Sequence, residues 1–246
     1  MISAFCFPIP VFCLMSMPRK IRCTIESITD HGGRVYTVDL APQSLAPSFR
    51  PGQFLHLTVD EYDPGGFWPE SRVFSIASSP HDRKRITICY AVKGRYTIKM
   101  EQALRVGGEV WIKLPYGEFV IDDASDALLI AGGTGISAFT AFLEALTPAN
   151  QRHITLIYGA RTPSLFLFQD LIRGQQTKVP HFNVVWFAET DAQPPCLPGR
   201  ISLTSDLCPP TPVFYLSGPP VMLKALGADL QAWGVSAERI RTDAWE

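Results

Sequence analysis

The arrangement of apolar residues changes once along the chain, at the short acidic segment DDASD (122–126), and this change restricts the fold more than any other feature. Before this segment, short runs of strand-forming residues are separated by glycine, proline and aspartate, which is typical of an antiparallel barrel. After it, apolar runs alternate with segments of helical periodicity, which is typical of a parallel sheet covered on both faces. We therefore predict two domains, an antiparallel β-barrel at 19–122 and an α/β parallel-sheet domain at 123–246.

Each half contains its own set of predicted elements. In the barrel half, one helix at 97–108 ends on a glycine pair that can cap it, and the predicted strands are 21–29, 34–41, 52–60, 72–79, 85–92 and 109–115. In the second half, the predicted strand and helix pairs are 127–132 with 136–146, 153–160 with 164–172, 183–189 with 200–207, and 212–218 with 220–233.

Charge and cysteine content exclude several kinds of site. The net charge is −1 with both signs scattered, so no basic stripe is present and we expect no nucleic-acid partner. The six cysteines lie far apart without a C-x-x-C pair, so we predict no metal site. We interpret them as reduced thiols, which favours a cytoplasmic location.

The first residues fit neither a secretory signal nor a membrane-spanning helix. Residues 2–17 carry no charge, contain two early prolines and precede the basic PRK segment. A signal peptide has its positive charges before the apolar stretch, and a spanning helix needs about 18 apolar residues. We interpret 1–18 as an N-terminal extension and expect no membrane contact. A membrane-touching segment is the alternative.

The run LLIAGGTGISAF (128–139) predicts an anion site. A strand ends at Ala131, and Gly132, Gly133 and Gly135 precede a helix. Backbone amides at a helix N-terminus suit a pyrophosphate. However, the spacing is not that of the G-x-G-x-x-G fingerprint, so a plain tight turn explains this loop equally well.

A second loop of the same kind follows the strand at 212–218. Gly218 and Pro219 open another helix, and proline is well tolerated in a first helical turn. Two such loops at the carboxyl ends of parallel strands meet along the edge where open α/β sheets bind ligands. Their pairing favours a nucleotide site over two unrelated turns.

A third candidate lies in the barrel half, in the segment ESRVFSIASSP. Because side chains alternate along a strand, Arg72 and Phe74 share one face. A ligand on that face meets a guanidinium for a phosphate and a ring for stacking. Ser75 then acts through its backbone or through a hydroxyl that reaches round a local bend. The alternative is an exposed arginine beside a core phenylalanine.

Taken together, these motifs resemble the ferredoxin–NADP reductase superfamily of flavin-containing NAD(P)H oxidoreductases, in the correct order from about residue 19 onward. RVFS (72–75) is similar to the family's R-x-Y-S flavin motif, and GRYT (94–97) to its phosphate turn. LPYGEF (114–119) is similar to the strand that closes the barrel. The nucleotide elements are matched by GGTGIS (132–137), YGAR (158–161) and LSGPPVM (216–222), and the C-terminus by DAW (243–245).

The resemblance implies a flavin held by the barrel, FAD rather than FMN. Arg72 binds its phosphates together with the helix start at Gly94, where Thr97 is the cap. Phe74 stacks on the flavin ring and Ser75 bonds near N5, the atom that receives hydride. The remaining flavin-binding residues that the resemblance implies are Val73, Tyr90, Val92 and Tyr96.

The resemblance also implies a site for NADH or NADPH. Gly132, Gly133, Thr134 and Gly135 hold its pyrophosphate, while Gly218 and Pro219 seat the nicotinamide. Ser217 is the second catalytic residue beside Ser75, and Trp245 stacks over the flavin or is simply a core residue. For the coenzyme, Arg161 suits the 2′-phosphate of NADPH, whereas Glu189 suits the ribose hydroxyls of NADH; both remain open.

Three positions depart from the family pattern, and they leave alternative functions open. Phe74 replaces a tyrosine, Ser217 a common cysteine and Asp243 a common glutamate. The main interpretation is hydride transfer from NAD(P)H to the flavin, with electrons passed to a separate acceptor: a ferredoxin, a flavodoxin, an oxygenase component, free flavin or a small molecule. The alternatives are a non-catalytic nucleotide-binding regulatory module and an electron-transfer subunit that is active only in a complex.

Overall fold

The computed structural model describes residues 17–121, 124–204, 207 and 212–243, so the predicted N-terminal extension lies almost wholly outside it. Its first half is an antiparallel six-stranded sheet in the order β4-β3-β6-β1-β2-β5. The strands are β1 (Arg19–Asp30), β2 (Val35–Pro42), β3 (Phe54–Thr58), β4 (Arg72–Ser75), β5 (Ile86–Ala91) and β6 (Glu109–Tyr116).

This sheet curls into a nearly closed barrel. Beyond the end of β4, the Ala77 amide donates to the Thr87 carbonyl on β5 at 2.8 Å, which brings the two edge strands together. Alternate residues of β1, such as Ile21, Cys23 and Ile25, are buried in the barrel core. This alternation of inward apolar and outward polar side chains is what closes a sheet around one core. The predicted barrel is confirmed.

The helix of the barrel half, α1 (Arg95–Ala103), begins two residues earlier than predicted and ends earlier too. Gly94 is its N-cap, and Leu104 leaves the helix in an extended conformation. The predicted glycine pair at 107 and 108 therefore belongs to the turn into β6 and does not cap the helix.

The second half is a parallel sheet, as predicted, and its strand order is β10-β9-β8-β7-β11-β12. Its strands are β7 (Ala127–Gly132), β8 (Ile154–Ala160), β9 (Phe182–Ala188), β10 (Leu197–Pro198), β11 (Val213–Ser217) and β12 (Ile240–Asp243). The helices are α2 (Ser137–Ala145), α3 (Gln169–Lys178) and α4 (Pro220–Ala232). Every residue of β7 is buried, as expected for a strand covered on both faces.

The helix predicted at 164–172 is wrong in its bounds. Residues Pro163–Leu165 form a 3₁₀ turn, and α3 begins only after Phe168, whose φ is +56°. The apolar run instead covers the sheet: the Phe166 ring lies 4.8 Å from that of Trp186, and the Leu167 amide donates to the Tyr158 hydroxyl at 3.0 Å. Apolar spacing alone does not distinguish such a packed loop from a helix.

In the short helix predicted at 200–207, residues 200–204 are not helical, whereas Leu207 belongs to a 3₁₀ turn. Ile201 instead packs over Gly159 of β8, where an added Cβ would come within 2.7 Å of the isoleucine side chain. Residues 200–204 therefore form a loop that packs against the edge of the sheet.

The two sheets share an apolar contact zone. Phe119, after β6, packs against Phe139 of α2 and Tyr215 of β11, with ring centroids 6.0 and 5.9 Å away. The Thr140 hydroxyl of α2 donates to the Ala77 carbonyl of the barrel at 2.7 Å. The domain boundary at 122/123 stays a prediction, because residues 122 and 123 are outside the described part.

None of the helices in the described segments combines the length and the apolar character that crossing a bilayer requires.

Candidate nucleotide and flavin site

The two glycine-bearing loops meet at the carboxyl edge of the parallel sheet. The chain runs from β7 to β8 on one side and returns to β11 on the other, and this reversal is where open α/β sheets bind ligands. A Cβ on Gly135 would lie 2.3 Å from the Ser217 carbonyl oxygen. Only glycine at 135 therefore allows the loop to approach the end of β11 this closely.

A cavity of about 560 Å³ lies between this edge and the barrel. From the barrel, Phe74, Ser75 and Tyr90 line it. From the sheet, its lining includes Gly132, Thr134, Gly135, Ser217, Gly218 and Pro219. The structure thus brings together the predicted residues of the flavin motif and of both glycine loops.

A buried carboxylate joins the two halves at the base of this cavity. Asp243 Oδ2 accepts hydrogen bonds from the Ser217 hydroxyl at 2.9 Å and from the Ser75 hydroxyl at 3.3 Å. All three residues are buried. The Ser75 side chain therefore reaches round the end of β4, which is the second of the two possibilities that the sequence left open.

Phe74 lines this cavity and Arg72 does not, so whether both contact one ligand stays a prediction. The Arg72 guanidinium lies 4.8 Å from the centroid of the Tyr96 ring, beside the first turn of α1. β4 ends at Ser75, and the cavity wraps round that end, so Val73, Phe74 and Ser75 all line it despite their alternation.

The start of α1 has the properties of a phosphate site. The Thr97 hydroxyl accepts from the amides of Lys93 and Gly94, at 2.9 and 3.1 Å, which fixes the turn. The first-turn amides of an α-helix lack intrahelical acceptors and carry the positive end of its dipole. With the Arg72 guanidinium alongside, this end of the barrel suits an anionic group.

Phe74 belongs both to the barrel core and to the cavity wall. Its side chain is buried in the barrel core, with its ring 6.3 Å from that of Tyr90, and it also lines the cavity. Tyr90 in turn stacks on Tyr36 at 5.3 Å. The cavity wall is therefore an aromatic layer held in place by the core.

A second cavity of about 620 Å³ continues from the first and follows the edge of the sheet. Gly132, Thr134 and Pro219 line both cavities. The far part of the second cavity contains charged side chains that follow β8, β9 and β10, namely Arg161, Glu189 and Arg200. Arg200 Nε lies 3.6 Å from Glu189 Oε2.

The shape of the backbone tests whether a dinucleotide fits here. A Cβ on Gly133 would have no protein atom within 4 Å, although Gly133 lines the second cavity. A Cβ on Gly132, by contrast, would meet Met222 Sδ at 2.6 Å. Gly133 thus leaves the cavity open, and Gly132 lets α4 approach the loop. The backbone amides of the loop and the space in front of them therefore fit a pyrophosphate.

The remaining predicted residues have different positions. Val92 lines the second cavity. Tyr96 lines neither cavity, because its hydroxyl is buried and donates to the carbonyls of Leu57 and Glu70; it supports the Arg72 side chain instead. Trp245 lies outside the described residues, so its role stays a prediction.

Sequence reasoning did not identify several residues that line the first cavity, among them Lys93 and Cys89. Lys93 directly precedes the GRYT motif. This position could have marked it as a candidate phosphate ligand. Cys89 is buried, and this burial raises the pKa of its thiol from 9.0 to about 12. It is therefore a neutral thiol and not a nucleophile at pH 7.

Within the described segments, no three metal-ligating side chains come together.

Comparison with known proteins shows the same architecture. Residues 129–227 match the family model of the oxidoreductase NAD-binding domain. The chain is 29% identical over 211 residues to a flavohemoprotein of Deinococcus radiodurans, covering 81% of this chain and 52% of that protein. It is 34% identical over 151 residues to an NAD(P)H-flavin reductase of Vibrio harveyi, covering 57% and 60%.

The crystal structure of an Amycolatopsis cytochrome P450 reductase superimposes with a TM-score of 0.79 at 22% identity, covering 93% of this chain and 70% of that one. The chain spans about half the length of several curated relatives that it matches. The paired barrel and sheet, the glycine loops and these similarities show that the chain is similar in sequence and in fold to ferredoxin reductase-like FAD/NAD oxidoreductases, the superfamily that its motifs resemble.

Proposed function

We propose that this protein takes hydride from NAD(P)H onto a bound FAD and passes the electrons to a separate acceptor. The observation that carries the proposal is the cavity where Phe74 and Ser75 of the barrel face Ser217 and Gly218 of the sheet. An enzyme of this kind has to hold two ring systems in contact, and the protein contributes their positioning while the cofactors supply the chemistry.

The flavin-holding residues are proposed from the barrel side. Arg72 and the first turn of α1 bind the phosphates, and Phe74 forms the wall against the flavin ring. When bound, FAD supplies an acceptor for two electrons together that releases them singly. FMN, with one phosphate, uses less of the cationic surface around Arg72, which favours FAD.

The nucleotide-holding residues are proposed from the sheet side. Gly132, Gly133, Thr134 and Gly135 offer backbone amides to the pyrophosphate, and Gly218 with Pro219 borders the nicotinamide position. Asp243 fixes the orientation of both cavity hydroxyls, Ser75 and Ser217, because both donate to the same carboxylate oxygen. This positioning would leave the hydroxyl oxygens as polar groups lining the cavity that the two rings would occupy.

The charges in the second cavity favour NADPH over NADH as the coenzyme. Glu189, the group suited to the ribose hydroxyls of NADH, lies within ion-pair distance of Arg200. Arg161 lines the same space, so two guanidiniums accompany one carboxylate. A 2′-phosphate is the adenosine substituent that such a net positive site recognises.

The acceptor is a separate protein or small molecule. The Vibrio harveyi relative is named an NAD(P)H-flavin reductase, and another relative, from Comamonas, is named the reductase component of terephthalate 1,2-dioxygenase. These names support free flavin and an oxygenase component as the first acceptors to test.

The deciding experiment is an anaerobic absorbance titration. The purified chain is loaded with FAD, separated from free flavin, and mixed with NADPH or NADH in parallel. We expect the flavin bands to bleach, and to do so faster with NADPH. Arg72→Ala is the matched variant, and it should weaken FAD binding while leaving riboflavin, which has no phosphate, unaffected.

Two results would contradict the proposal. A chain that binds no flavin would favour the nucleotide-binding regulatory module. A chain whose bound flavin neither coenzyme reduces would favour a subunit that needs its complex.

A further inference from the structure

Glu70 lies at the centre of the proposed flavin-phosphate site, with its carboxylate between two guanidiniums. Glu70 Oε1 is 3.2 Å from Arg72 Nη2 and 2.8 Å from Arg95 Nη2. Arg72 is the residue that the flavin motif assigns to phosphate, and Arg95 is the first residue of α1. The carboxylate therefore contacts the same cations that a flavin phosphate requires.

A backbone hydrogen bond also holds Glu70 in this position. The Glu70 carbonyl accepts a hydrogen bond from the buried Tyr96 hydroxyl at 3.0 Å. The Arg72 guanidinium also lies over the face of the Tyr96 ring. The loop between β3 and β4 thus keeps the Glu70 side chain at the start of α1, where a helix dipole favours negative charge.

We propose that Glu70 is an internal competitor for the flavin phosphates, and that its charge sets the affinity and the salt dependence of FAD binding. This inference rests on the proposed function. A diphosphate and a carboxylate cannot share two guanidiniums without repulsion, so FAD binds only as Glu70 gives up its ion pairs. The Glu70 side chain is about one third exposed, which leaves it free to swing into solvent.

The test is the affinity of Glu70→Gln for FAD, measured by quenching of flavin fluorescence. Removing one negative charge beside a diphosphate should tighten FAD binding about fivefold to tenfold at low salt. This gain should shrink as NaCl rises from 20 to 500 mM, because screening weakens the repulsion that Glu70 contributes. Riboflavin, which lacks phosphate, should bind both proteins equally.

The matched control is Glu61→Gln on the same loop. Glu61 is exposed and has no ion pair among the described residues. This variant makes the same change of net charge and should alter FAD affinity less than twofold. Equal melting temperatures of the three proteins would show that the Tyr96 anchor is intact.

Three outcomes would overturn the inference. Unchanged or weaker FAD binding by Glu70→Gln would mean that the carboxylate does not compete. An equal gain for riboflavin, or an equal gain in Glu61→Gln, would mean that the effect does not act through phosphate. Failure of the wild-type chain to bind FAD would instead refute the proposed function itself, so the two failures are distinguishable.

Discussion

Gly135 gives the sharpest test of how the glycine loop and β11 form one site. In Gly135→Ala, the new Cβ would lie 2.3 Å from the Ser217 carbonyl oxygen and 2.7 Å from the Gly218 amide nitrogen. Ordinary contact begins near 3.4 Å, so backbone must move by about 1 Å. Overpacking of this kind costs about 1–3 kcal/mol.

The stability effect is measurable by thermal denaturation. For a chain of this size, about 2–4 °C of melting temperature is lost per kcal/mol, so we expect a fall of about 2–12 °C. NADPH affinity should fall at least tenfold, since the loop leaves its place beside β11. FAD affinity should change less, because Arg72 and α1 lie away from this contact.

Gly227→Ala is the matched control for the same change of residue type. Gly227 is in the interior of α4, and a Cβ there would have no protein atom within 4 Å. Alanine should therefore stabilise the chain by about 0.5–1 kcal/mol. A Gly135→Ala protein that melts within 1 °C of wild type, with NADPH affinity unchanged, would refute the proposed close approach of the loop to β11.

Three further predictions concern charge, burial and the contact between the halves. Arg161→Ala and Arg200→Ala should each raise the KM for NADPH more than that for NADH, measured by steady-state reduction; equal effects would contradict the coenzyme proposal. Burial raises the pKa of the Cys23 and Cys89 thiols from 9.0 to about 12, so their contribution to stability is present below pH 9 and lost as pH rises towards 12. Urea midpoints at pH 8 and pH 10.5 should show this loss, and a double alanine variant should show less of it. Thr140→Val should cost about 1 kcal/mol in urea denaturation, because the hydrogen bond to the Ala77 carbonyl disappears.

Much of the fold could be predicted from local pattern. β7, with six consecutive buried residues, is recognisable because a strand covered on both faces has to be apolar throughout. The bounds predicted for the helix at 164–172 were wrong because a loop that covers a sheet is apolar too. Phe166 and Leu167 are apolar because they cover the sheet, and their spacing does not record that Phe168 adopts a positive φ.

The candidate site also contains residues that local sequence identifies and positions that it does not. Gly135 and Gly218 were predictable, because turns between strands and helices and the close approach of backbones leave a local signature of glycine. Arg72 was recognisable as a candidate phosphate ligand, but its position beside Tyr96 and outside the first cavity depends on where β4 ends and how the barrel closes.

The sequence by itself determined the two halves, the order of their elements and the residue types that suit a flavin and a nicotinamide nucleotide. These properties depend on local periodicity and on short motifs. Only the tertiary structure decided that Asp243 joins Ser217 to Ser75, which lies 168 residues earlier in the chain. It also decided that Glu70 lies between Arg72 and Arg95. Such contacts depend on the packing of one sheet against another and on loop paths, which no local pattern of residues encodes.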